Sequence, residues 1–161
     1  PIIMIHDLSF SFSLLAQIEF IILEVSLNYQ NILLSVVYRL TEAIFNNFED
    51  ELARFLPKYQ HVLILGDTNF NLDKVTTNLN KFRDIINSLD LKIHPFNPTY
   101  HSGAIESWLD VILTRDDKLV LHHDQISAPE LSPKHDILFM VYSLNVYNIV
   151  LKSSNIGILK I

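Results

Sequence analysis

The chain has 161 residues, 49% of them hydrophobic and 19% charged, a balance that suits one packed globular domain and excludes a disordered tail. It contains no cysteine, so disulfides and thiolate metal sites are excluded, and any metal must be held by carboxylate, amide or imidazole groups, the donors of a hard cation. A formal net charge of −6 speaks against a protein that coats nucleic acid through overall basicity, while a local groove of Lys and Arg remains compatible with phosphate contacts.

The apolar run from Ile18 to Leu27 is cut by Glu19 and Glu24 and falls well short of the ~20 residues of a spanning helix, so no membrane association is expected. The chain opens on Pro1 with no basic stretch ahead of a short apolar core, and its N-terminus reads as a cut or processed end.

In chain order, Ile18 to Val25 and Ile32 to Tyr38 are rich in Ile, Leu, Val and aromatic residues, and the polar run Asn28-Tyr29-Gln30-Asn31 between them predicts a turn, hence a hairpin of buried strands. Ile44, Phe48, Leu52 and Leu56 then recur every fourth position, predicting an amphipathic helix with Thr41 as N-cap and Pro57 just past its end. His61 to Leu65 is a short strand ending at Gly66, and Leu79, Phe82, Ile86 and Leu89 mark a second helix. Pro95-Phe96-Asn97-Pro98 is a loop by its prolines, and Trp108 to Thr114, Leu119 to His122 and His135 to Leu144 are strand-like. Interleaved helices and strands without a repeat or a Ser/Gly-rich hinge predict one mixed α/β domain.

Asp67 and Asn69 follow the third strand directly, where Gly66 lets the chain turn and present short polar groups at a strand's C-terminal end, a favoured position for sites in α/β sheets. An Asx-rich turn that merely caps the strand accounts for the same residues. Alternation in Trp108-Leu109-Asp110-Val111-Ile112 puts the Asp110 carboxylate on the face of two apolar residues, which costs several kcal/mol unless the group is partnered or the strand is an exposed edge. His135 opens the last strand-like run, where an imidazole can bind phosphate or be steered by a carboxylate such as Asp110. The remaining histidines, His6, His61, His94, His101, His122 and His123, show no zinc spacing and read mostly as solvated.

Taken in order, Val36-Val37-Tyr38-Arg39, Leu65-Gly66-Asp67-Thr68-Asn69, Asn97-Pro98-Thr99, Ser107-Trp108-Leu109-Asp110-Val111-Ile112 and Leu131-Ser132-Pro133-Lys134-His135-Asp136 resemble the endonuclease/exonuclease/phosphatase superfamily, and among its members the endonuclease domain of jockey-like non-LTR retrotransposons. The resemblance implies a two-sheet α/β sandwich, incomplete at the N-terminus, over residues 1–145, with 146–161 an unassigned tail. It implies a DNA-nicking phosphodiesterase that uses Mg²⁺ or Mn²⁺ and in-line attack by water. In that scheme Asp67 binds metal and activates or orients the water, and Asn69 helps to hold it. Asp110 orients His135, whose imidazole stabilises phosphoryl charge, and Tyr38 contacts the phosphate. DNA is the implied partner and a reverse transcriptase domain the implied neighbour in the full-length element, with the nucleus its place of action.

The chain departs from the family's pattern in four ways. Nothing in Pro1 to Leu15 matches the family's first strands with their Asn and metal-binding Glu; the acid Asp136 follows His135 instead of preceding it; Thr68 stands where Phe is usual; and Asn145 to Ile161 matches nothing. A truncated copy that is inactive by itself is therefore expected, with apolar surface uncovered around Pro1 to Leu15. The alternatives are a catalytically dead remnant with at most weak nucleic-acid binding, or a phosphatase sharing the same core.

Overall fold

The computed structural model describes residues 3–11, 18–27, 29–40 and 46–144. The proposed helix start at Thr41, the apolar Ile44 and the tail from Asn145 lie outside the described residues. Strands β1 (Ile3–Ser11), β2 (Ile18–Leu27) and β3 (Gln30–Arg39) form an antiparallel meander, and β3 pairs in parallel with β4 (His61–Asp67) through helix α1 (Asn46–Phe55). Helix α2 (Thr77–Ser88) leads to the short β5 (Lys92–Ile93) and to β8 (Asp110–Thr114), which inserts antiparallel between β4 and β5. The six-stranded sheet thus runs β1-β2-β3-β4-β8-β5, and two hairpins, β6 (Tyr100–Ser102) with β7 (Ile105–Ser107) and β9 (Val120–Ile126) with β10 (Ile137–Tyr142), make separate small sheets.

The large sheet has two unlike faces. Phe20 and Ile22 of β2, Leu33 and Val37 of β3, Val62 and Ile64 of β4, and Val111 and Leu113 of β8 join Phe48, Leu52, Leu79, Phe82 and Ile86 from the helices in one core. The α1 stripe is the four-residue recurrence seen in the sequence, and Thr76 caps α2 by accepting from Leu79 N at 3.1 Å. On the opposite face, β3 alternates to Val36 and Tyr38, both exposed, and β4 to Leu63, Leu65 and Asp67, all half-buried. The β9–β10 hairpin covers part of that face, with the Tyr142 ring meeting His61 edge-on at 5.9 Å. Helices on one face and a small sheet against the other make the α/β multi-sheet fold expected.

Several boundaries differ from expectation. The strand foreseen from Trp108 begins at Asp110, because the carbonyls of Trp108 and Leu109 accept from Leu72 N and Thr68 N in the turn after β4 instead of joining the ladder. The strand foreseen from His135 begins at Ile137. Before it, Lys134 O and Asp136 N bond residues 101 and 99, and His135 makes an isolated bridge with Tyr100. Strands β1, β6 and β7 were not legible as periodic runs. His61 and His94 are buried, not solvated, each with a polar partner: Tyr142 Oη at 3.4 Å and Thr114 Oγ1 at 2.8 Å.

At the end of β4, Gly66 has φ +150°, and a Cβ there would lie 1.8 Å from the carbonyl oxygen of Val37. Only glycine allows β3 and β4 this approach. Gly66→Ala is expected to cost at least about 3 kcal/mol, since neither strand backbone can yield, measured as the shift in urea midpoint at unchanged slope. In β1, Ile3, Met4 and Ile5 are all more than half exposed on a strand whose outer edge pairs with no other strand among the described residues, a template for further pairing. Light scattering is expected to show concentration-dependent self-association that Ile5→Lys lowers.

Candidate functional site

Register brings three of the sequence candidates into one row. Tyr38 on β3 pairs with Asp67 on β4, and Asp67 pairs with Asp110 on β8, so all three stand on the open face at the same end of the sheet. His135 arrives from the segment before β10, and its Nδ1 lies 3.0 Å from Asp110 Oδ2. One ligand atom each from Asp67, Asp110 and His135 fall within 4.8 Å of one another. Residues separated by most of the domain in sequence therefore converge.

The turn carrying Asn69 is held from below by Arg39. This side chain is 2% exposed; its Nε donates to Thr68 O and its Nη2 to Asn69 O at 2.9 Å, while its guanidinium stacks 3.6 Å above the Phe70 ring. Asn69 answers by donating its side-chain amide to Arg39 O. Its backbone sits at φ 49°, in the left-handed region that Asn tolerates better than most residues, and its N–H donates to Asp67 Oδ1 at 2.8 Å. Thr68, buried at 1% exposure, donates its hydroxyl to Leu109 O at 3.1 Å. A hydroxyl at this position thus ties the β4 turn to the segment entering β8.

Thr99 was quoted in a motif but given no role by the sequence. It is fully buried, accepts from Leu109 N and Asp110 N at 3.1 Å each, and donates its hydroxyl proton to Asp110 Oδ2 at 2.6 Å. With His135 on the same oxygen, Asp110 has two side-chain donors, the partners its sequence position demanded. The His135 ring also meets Tyr100 edge-on with centroids 5.0 Å apart, and its backbone N–H donates to Ser132 Oγ at 3.2 Å. Asp136 points the other way, accepting from Gln125 Nε2 at 2.9 Å and facing His101 Nε2 at 3.2 Å.

Asp67 differs from Asp110 in having one backbone N–H for its charge. Burial pushes its carboxyl above the usual range, with Asp110 adding to the rise, while the Asn69 N–H, His135 and Arg39 oppose it. Tyr38 lies in the same row, 42% exposed, where a hydroxyl is open to a ligand. Alternation made foreseeable only that the Asp110 carboxylate needs a partner or an exposed edge; the contacts of Arg39 and Thr99 required the third dimension.

The family model described as endonuclease-reverse transcriptase matches residues 32–139, about two thirds of the chain. No curated protein sequence matches it. Among solved structures, the endonuclease domain of TRAS1, a telomere-specific non-LTR retrotransposon, superimposes with a TM-score of 0.64 at 15% identity, over 76% of this chain and 61% of that one. The inositol polyphosphate 5-phosphatase domain of a synaptojanin, in complex with inositol (1,4)-bisphosphate and calcium ion, gives 0.54 at 12% identity over 87% and 55%. TDP2 of D. rerio, complexed with a single-strand DNA product, gives 0.50 at 12% identity over 84% and 68%. At these identities the likeness establishes the fold, and the chain spans about three fifths of the TRAS1 domain.

Because the raised Asp67 titration reflects a disfavoured carboxylate, folding loses stability as pH rises through its folded-state range and keeps it below the ordinary carboxylate range. Asp67→Asn retains an acceptor for Asn69 N–H without the charge. It is expected to raise the melting temperature at neutral pH, by an amount that shrinks toward zero in acid, as read by calorimetry across a pH series.

Proposed function

The chain belongs to the endonuclease-reverse transcriptase family, and we propose that it is a DNA-nicking, metal-dependent phosphodiesterase domain of a retrotransposon. The observation that carries this reading is the meeting of Asp67, Asp110 and His135 within 4.8 Å at the end of the sheet. Carboxylate oxygens beside an imidazole, with a buried charge on Asp67 that lacks a full complement of partners, fit a hard divalent cation, Mg²⁺ or Mn²⁺. Asp67 would hold it, since Asp110 Oδ2 is already taken by Thr99 and His135. Such an ion supplies Lewis-acid polarisation of the phosphoryl group and charge for the developing alkoxide.

The protein's own groups divide the remaining work. Asp110 accepts the Nδ1 proton of His135, which fixes the tautomer and leaves Nε2 to face a phosphoryl oxygen, as a donor once the ring is protonated. Asp67, on the same row, orients the attacking water and accepts its proton, and Asn69, clamped by Arg39, helps to hold that water. The Tyr38 hydroxyl contacts the phosphate from β3. DNA is the proposed substrate and a reverse transcriptase the proposed neighbouring domain, with the nucleus as the place of action. Among the described residues no helix is long and apolar enough to cross a membrane.

A second reading, an inactive remnant, is favoured by one observation: with Asp110 engaged, Asp67 is the one carboxylate of the described cluster left for a cation. Nicking of supercoiled plasmid separates the two. Mg²⁺-dependent conversion to open circles that falls about 10²- to 10⁴-fold in His135→Ala and in Asp67→Asn would support the nuclease reading against the expectation that this chain is inactive by itself. Nicking that persists in both variants or in EDTA would overturn the nuclease reading, and a chain that never nicks with either metal selects the remnant.

A further inference from the structure

The loop after β5 and strand β9 enclose an open pocket of about 230 Å³ lined by Pro95, Phe96, Asn97, His123, Asp124 and Gln125. Its aromatic corner is set by the His123 ring, which meets Phe96 edge-on with centroids 5.3 Å apart and leans on His94 at 5.2 Å. His94 is itself buried and bonded to Thr114, so the corner has a fixed back wall. Gln125 ties the sides together: its Oε1 accepts from Asn97 N at 2.9 Å, and its Nε2 donates to Pro98 O at 3.2 Å and to Asp136 Oδ2 at 2.9 Å. Asp136 is the residue after His135, and Pro98 the one before Thr99, so pocket and catalytic pair share one framework.

The chemistry of the lining narrows the ligand. The volume is below the ~300 Å³ at which pockets for drug-sized ligands begin, which leaves room for a single flat ring system. Phe96 and His123 offer π surfaces, on which unpaired bases stack irrespective of sequence. The Asp124 carboxylate is exposed on β9 and repels a phosphate, yet accepts from ring and exocyclic N–H groups. Asn97 brings an amide with both a donor and an acceptor. We propose that this pocket is a base subsite that takes one unstacked nucleobase of the strand lying across Asp67 and His135, with preference for a base that presents N–H donors to Asp124. The proposal rests on the nuclease reading for its substrate class but not for its geometry.

The test is binding in EDTA, where no cleavage intervenes, followed by fluorescence anisotropy. The probe is a dye-labelled oligodeoxynucleotide made of abasic sites with one central guanine, compared with the same oligomer without the base. The guanine oligomer is expected to bind roughly tenfold more tightly, as one stacked base allows. Phe96→Leu should erase most of that advantage. Asp124→Asn, at an exposed position where folding is unaffected, should reduce the advantage of guanine without changing affinity for the abasic strand. Equal binding of the two oligomers by the wild-type chain, or an unchanged guanine advantage in both variants, would overturn the subsite. A chain that prefers the guanine oligomer yet never nicks plasmid would sink the nuclease reading alone, and one that nicks without that preference would sink the subsite alone.

Discussion

The buried guanidinium of Arg39 is the constraint on which the rest of this end of the molecule depends. A charge that is 2% exposed is tolerated only when its donors are used, and here they are spent on the carbonyls of Thr68 and Asn69 with Phe70 against the guanidinium face. The consequence is geometric: the end of β3 is locked to the turn that follows β4. That turn, in turn, donates to the carbonyls of the Trp108–Leu109 segment entering β8. Tyr38, Asp67 and Asp110 are thereby held in one row by backbone and side-chain bonds lying on the covered face, while their own side chains stay on the open one.

The two carboxylates of that row show how environment assigns different tasks to identical groups. Asp110 has a buried threonine hydroxyl and an imidazole on one carboxylate oxygen, an arrangement that orients the ring. Asp67 lacks such partners, and burial dominates over the helpful charges of His135 and Arg39. A group whose charge is disfavoured in isolation is one that gains from a nearby cation or a proton. The cost appears as reduced folding stability at a pH where the Asp67 carboxyl is ionised.

The two faces of the central sheet also divide labour. One buries Leu33, Val37, Val62, Ile64, Val111 and Leu113 against the helices and supplies the stability; the other is covered only in part by the β9–β10 hairpin among the described residues and carries the polar groups. Segment 134–136 joins the two layers by bonding to Thr99 and His101. Asp136, which follows His135, stands outside the row of Tyr38, Asp67 and Asp110 and braces the hairpin through Gln125 and His101.

The sequence by itself determined a mixed α/β domain and the order of its main elements, and its family resemblance pointed to Tyr38, Asp67 and Asp110, which register places in one row. The elements follow from local physics: apolar recurrence every three or four residues places α1 and α2, and runs of branched residues place β2, β3 and β4. It also identified Asp110 as a carboxylate in need of a partner, because alternation alone puts it among apolar neighbours. Only the tertiary structure decided which partner it received, where β8 and β10 begin, and that His61 and His94 are core groups. It also decided that Arg39 is a clamp and Thr99 a donor to Asp110. Each of these depends on contacts between segments far apart in the chain, where a side chain's neighbours, and hence its charge and role, are set by the packing of strands that no local pattern encodes.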